Sequence, residues 1–320
     1  MTTAASGAPH PPRRSRVLLR VLGSVGVLGL LLVIVPLDEL RAALARVPAT
    51  VWLGALGIYL GLHLIGVIKW RLLMNAAGAG LSFRDTARCY YYGLFGNIFL
   101  PSIVGGDVVR AGLATRLGRS GSGVILGSLV DRTLDTIGLA AVAGIGLLLL
   151  PTAVDPRSRA TFMAVIGVMG LAGAGGLAIL AFVPWIRRLP YRIRRKLVPP
   201  RRAYLALRRQ PMRLVTSLVL GIALQTLLVL LNAWLGRVMG VEISAVVWLF
   251  VWPLAKIAAI LPVTQGGIGV REGALVVLFQ PFGVTAATAM ATGLVFTAIV
   301  MAGGLVGGAV AFLIGRWSRA

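Results

Sequence analysis

The chain has 320 residues, 58% of them hydrophobic and 13% charged, and a mean hydropathy of +0.91. That is more apolar surface than a soluble domain can hide, so the composition predicts an all-α polytopic membrane bundle of about eight spans. Its 32 Lys+Arg against nine Asp+Glu give a net charge of +23, but the basic residues fall in breaks between apolar runs, which fits the positive-inside rule and excludes nucleic acid as the partner.

Residues 1–15 read as a disordered, Pro-rich cytoplasmic tail, and 16–316 as a single transmembrane domain. Arg13, Arg14 and Arg16 precede an apolar stretch, Val21 to Leu37, with no small-x-small cleavage site after it. It reads as an uncleaved first span with the N-terminus in the cytoplasm. The next apolar run, Val47 to Ile68, closes on Lys69, Trp70 and Arg71, residues expected at the cytoplasmic interface.

Cys89 to Gly106 is uncharged, rich in Tyr, Gly and Phe, and broken by Pro101. Basic residues flank it on both sides, so it is expected to be re-entrant. Such an element is tolerated at membrane depth only inside protein or against a cavity. Tyr90, Tyr91 and Tyr92 are expected to form an interface belt. Cys89 is the only cysteine, and His10 and His63 are far apart, so neither a disulfide nor a metal cluster is expected.

The apolar stretch Thr136 to Leu150 amounts to about 22 Å of helix, short of a core of about 30 Å. To span, this helix must draw in Asp135, and with it Asp131 and Arg132. Arg132 and Asp135 are spaced i,i+3 and can pair. Charges at that depth face a cavity or each other; an ion pair at the interface is the alternative.

A further helix is expected from about Ala160 to Trp185. Between Arg187 and Arg213 lie eleven Lys+Arg and no acid, which makes 187–213 a cytoplasmic loop between a first half (47–186) and a second (214–316). A span follows from Leu214 to Gly236, then a Pro-interrupted helix from about Ser244. Lys256 sits in an apolar run, and either snorkelling or a buried partner fits it; Glu272 is the nearest acid. The Gln280–Gly283 break divides the remaining apolar run into a short piece and a long last helix. The C-terminus, with Arg316 and Arg319, is expected in the cytoplasm.

An internal repeat carries the chemistry. Leu100–Gly112 aligns without gaps on Leu261–Gly273, identical at seven of thirteen positions. Its core is Pro-x-x-x-Gly-Gly-x-x-x-Arg: Pro101, Gly105, Gly106 and Arg110 against Pro262, Gly266, Gly267 and Arg271. Pro stops a helix, and the glycines allow a sharp turn and close approach. A helix starting after them would aim free N–H groups at an anion, and an Arg one turn in adds a fixed charge. Asn97, Asp107 and Gln265 add polar groups near the turns, and Glu272 balances charge. A single copy reads first as an interface loop with an Arg anchored in headgroups. Two copies match transporters built from repeats with broken helices, whether inverted or parallel.

These residues resemble the flippase-like transmembrane domain of lysylphosphatidylglycerol synthases. The likeness lies in Gly96-Asn97-Ile98-Phe99-Leu100-Pro101 with Gly105, Gly106, Asp107 and Arg110, then Asp131-Arg132 with Asp135, then Leu261-Pro262 with Gly266, Gly267, Gly269 and Arg271-Glu272-Gly273. The family often has Glu where this chain has Asp131, which keeps the charge. The resemblance implies an inner-membrane protein of a bacterium or archaeon that moves a modified phospholipid or polyprenyl-type lipid between leaflets, without lysyl transfer, which belongs to a separate soluble domain. Neither a nucleotide motif nor a nucleophile–His pairing is present, so no catalytic residue or cofactor is expected. A membrane-embedded transferase, or an accessory subunit with envelope-synthesis partners, is the alternative; a homo-oligomer is also compatible.

Overall fold

A computed structural model describes Gly29, residues 37–100, 105–150, 201–259, Thr264 and 267–316, with scattered positions between 160 and 175. The expected first span, the Ala160–Trp185 helix and most of the basic loop lie largely outside the described residues, as do Pro101, Pro262, Gln265 and Gly266. The regular structure described is helical, an all-α bundle.

A short helix, α1 (Leu37–Ala45), leads in. Four helices follow: α2 (Ala49–Ala76), α3 (Phe83–Phe99), α4 (Gly105–Leu117) and α5 (Gly121–Leu148). After a helical stretch at 201–208 come α6 (Pro211–Val238), α7 (Ala245–Ala258), α8 (Val270–Phe279), a 3-10 turn (Gln280–Phe282) and α9 (Ala286–Arg316). Helix lengths of 28, 17, 13 and 28 residues in the first half recur as 28, 14, 10 and 31 in the second. The repeat seen in thirteen residues of sequence is therefore a repeat of whole four-helix units.

Local chemistry sets the same boundaries in both. Ser82 caps α3 by accepting the Asp85 N–H at 3.1 Å, and Ser244 caps α7 through the Val246 N–H at 3.3 Å. Glycines in the left-handed region turn the chain just before each cap: Gly80 (φ 65°) and Gly240 (φ 91°). The Gln280–Gly283 break falls where expected, with Gly283 at φ 75°.

α2, α6 and α9 are long and apolar enough to cross a membrane. Helices of 28 residues are about 42 Å long. α5 has that length too but carries Asp131, Arg132 and Asp135 mid-helix. Exposed Leu53, Val215, Leu305 and Phe312 lie on the outside, as lipid-facing side chains do.

The halves interlock with a two-fold pattern. α3 packs on α9, α7 packs on α5, and α2 packs on α6. Close approach at the first two contacts needs glycine: a Cβ at Gly146 would lie 2.6 Å from the Phe250 nitrogen, and one at Gly304 would lie 2.7 Å from Ile98.

One interface expectation fails here. α2 does not stop at Lys69-Trp70-Arg71 but runs on to Ala76. Trp70 is fully buried with Leu73, Met74 and Val130, and Lys69 is buried beside it.

Candidate functional site

Between the halves lies a cavity of about 250 Å³. Each half sends the same elements into it. From the first come Tyr59 and His63 (α2), Tyr90 and Asn97 (α3), Asp107 and Arg110 (α4), and Arg132 and Asp135 (α5). From the second come Gln225 (α6), Trp252 and Lys256 (α7), Arg271 (α8), and Phe296 and Val300 (α9).

The first half's charges form one chain of alternating sign. Arg132 contacts one oxygen of Asp107, whose other oxygen meets Arg110 Nη2 at 2.9 Å. Arg110 Nη2 also meets Asp131 Oδ2 at 2.9 Å. The second Asp131 oxygen meets Lys69 Nζ at 2.8 Å, and Lys69 Nζ reaches Asp135 Oδ1 at 2.5 Å. Three cations and three carboxylates thus bridge α2, α4 and α5. Asp131 is only 1% exposed. Removing one member of such a buried network leaves an uncompensated charge, at a cost of about 3–5 kcal/mol.

The second half is simpler. Arg271 Nη2 donates to Glu272 Oε1 at 2.8 Å, and Thr297 contributes its hydroxyl to both. Glu272 is fully buried; its Oε2 accepts the Gly269 N–H at 2.6 Å and so caps α8. Both repeat arginines lie between two aromatic rings. Arg110 is 5.0 Å from the Trp70 ring centroid and 5.3 Å from that of Tyr90. Arg271 is 5.8 Å from Trp252 and 5.5 Å from Phe296. Desolvated, each such contact stabilises the cation by up to about 2 kcal/mol.

Several pairings differ from those the sequence suggests. Arg132 turns to Asp107 on α4 rather than to Asp135, because Asp135 is taken by Lys69. Lys256 does not pair with Glu272, which Arg271 holds; its Nζ donates to Gln225 Oε1 at 2.8 Å. Tyr90 and Tyr91 are buried rather than forming a belt. Tyr90 lines the cavity with its hydroxyl 3.1 Å from His63 Nδ1, and Tyr91 donates to the Leu60 carbonyl.

The glycine turns also depart from expectation. Gly105 and Gly106 do not precede α4 but form its first turn, whereas Gly267 (φ 77°) and Gly269 (φ 88°) do precede α8. Nor are these helix N-termini left open to a ligand at the positions described: Asn97 Oδ1 accepts the Gly106 N–H at 2.8 Å, and Glu272 takes that of Gly269.

The sequence reading missed Lys69, Tyr59, His63, Gln225, Trp252 and Phe296. Lys69 had a signal, since Leu72, Leu73 and Met74 continue the apolar run beyond Arg71. The others needed the packing of four helices.

A family profile described as the lysylphosphatidylglycerol synthase TM region matches residues 17–308. The chain belongs to this family. Among curated proteins, none matches it. Membership in the lysylphosphatidylglycerol synthase TM family, with the long apolar helices, makes this a membrane-embedded protein related to lipid modification or translocation.

Proposed function

We propose that the protein moves a charged lipid, such as a modified phospholipid, between the leaflets of the plasma membrane as a multi-pass protein with both termini in the cytoplasm. The headgroup sits in the cavity between the halves. The observation that carries this reading is a charged, aromatic-walled cavity at the meeting of two repeated units, each built from long helices and a hairpin of two short ones. A lipid headgroup needs such a polar path through an apolar slab, while its acyl chains remain in lipid. The two-fold packing supports it further, because α3 and α7 each lie against the opposite half and rocking one unit against the other would re-expose the cavity.

The test is a leaflet-exposure assay in proteoliposomes with a panel of anionic, zwitterionic and cationic lipids. Wild type is expected to move at least one of them faster than empty liposomes. Arg110→Ala and Arg271→Ala are expected to slow that movement at least about tenfold, as loss of a charged hydrogen bond does. A wild type that moves none of the panel ends the reading. Two arginine variants as fast as wild type end the site assignment.

A further inference from the structure

The charge balance of the cavity is incomplete on one side only. The network of Arg132, Asp107, Arg110, Asp131, Lys69 and Asp135 is neutral as a whole, and so is the Arg271–Glu272 pair. Lys256 is left over. Among the described residues no carboxylate pairs with it, and its one polar partner is the neutral Gln225. Lys256 is half-buried on the cavity wall, and an ammonium partly removed from water with no carboxylate in contact is destabilised, a cost that falls when an anion arrives.

Three further observations converge on the same place. Counted from the helix starts, Lys256 is the twelfth residue of α7, and the twelfth residue of α3 is Leu94. The cation therefore breaks the repeat rather than following it. His63 is 8% exposed and lines the cavity; among the described residues its Nε2 has no hydrogen-bond partner. The Tyr90 hydroxyl lies 3.1 Å from Nδ1; in the tautomer in which that hydroxyl donates, Nε2 bears the proton and is a free donor. Trp252 and Phe296 complete apolar walls on this side.

We propose that Lys256, with His63 Nε2 as second donor, is the anion-binding element of the cavity, and that its ligand carries one negative charge on a phosphodiester headgroup. One excess cation calls for one negative charge. An ammonium and an imidazole N–H, set on different helices, suit the two unesterified oxygens of a phosphodiester. Arg110 and Arg271, which carry the repeat motif, have carboxylates that already balance their charge, so the unbalanced positive charge is that of Lys256. The inference rests on the lipid-transport reading for its context, but its chemistry is separately testable.

The experiment measures binding to the purified full-length protein in detergent by titration calorimetry. The probes are dihexanoyl phosphatidylglycerol, its deacylated glycerophosphodiester, inorganic phosphate, and a short dialkyl ammonium amphiphile. Wild type should bind the diester lipid at least about tenfold more tightly than the cationic amphiphile, and Lys256→Gln should lose about tenfold or more of that affinity. Lys256→Arg should keep it, and melting temperatures of both variants establish that they fold. His63→Phe should weaken the diester lipid by a smaller factor, about threefold, as befits a neutral donor.

Undiminished binding by folded Lys256→Gln, or tighter binding of the cationic amphiphile by wild type, overturns the proposal. If inorganic phosphate displaces the lipid as well as the deacylated diester does, the site is one for free phosphate and the headgroup assignment falls. Leaflet exposure of the same lipid keeps the two readings apart. Lys256-dependent binding without movement ends the transport reading alone, and movement indifferent to Lys256→Gln ends this inference alone.

Discussion

The two halves hold equivalent arginines by different means. Arg110 is fixed by carboxylates from two helices, Asp107 on its own α4 and Asp131 on α5. Arg271 is fixed by one carboxylate, its neighbour Glu272, with a hydroxyl from Thr297 on α9. Counted from the helix starts, Asp131 and Phe296 are both the eleventh residue of the unit's last helix, and Tyr90 and Trp252 the eighth of its first short one. The aromatic wall from α3 and α7 is thus shared, while the residue from α5 or α9 is a charge in one half and a ring in the other. One scaffold can thus surround a guanidinium with added carboxylates or with added aromatic rings. The first solution ties helices together through shared charges; the second leaves the arginine less constrained.

Substitutions can break this contrast. The largest expected effect is at Asp131: Asp131→Ala leaves Lys69 to Asp135 and Arg110 to Asp107, with one cation in excess where a buried carboxylate bridged them, and should cost about 3–5 kcal/mol, read as thermal or denaturant unfolding in detergent. Glu272→Gln should cost less, about 1.5–3 kcal/mol, because Thr297 and the aromatic rings remain around Arg271. Equal losses at the two sites would show that the halves do not differ as described. Gly267→Ala should cost more than about 1 kcal/mol, since φ is 77° and a Cβ would lie 2.9 Å from the Ala259 carbonyl. The smallest effect has the opposite sign. Gly112, in α4, has nothing within 4 Å of a built Cβ, so Gly112→Ala should stabilise by about 0.5–1 kcal/mol.

Much of the architecture was legible because membrane helices advertise themselves. The Ser244 start, the Gln280–Gly283 break and the place of Asp131 within a long helix each follow from helix length or cap chemistry. The repeat was legible where Pro, Gly and Arg are hard to replace, and invisible where only helix length is preserved. Partners were harder. The i,i+3 rule offered Asp135 to Arg132, but that rule knows one helix, and Asp135 faces Lys69, 66 residues away. Lys256 reaches Gln225 across 31 residues for the same reason. Lys69 and the tyrosines misled because interfacial and buried polar-aromatic clusters use the same residue types.

The shared carboxylate at Asp131 also limits how this protein can drift. Lys69, Arg110 and Asp131 come from three helices, yet any one of them changed alone leaves the network with one uncompensated charge at its centre. Replacing the whole network together, Asp107, Arg132 and Asp135 included, with apolar side chains of similar volume carries no such penalty. The six positions therefore make a single heritable unit: among descendants of this chain they are expected to be kept together or lost together, and a lineage that has lost the network will have kept its helices while giving up this ionic tie.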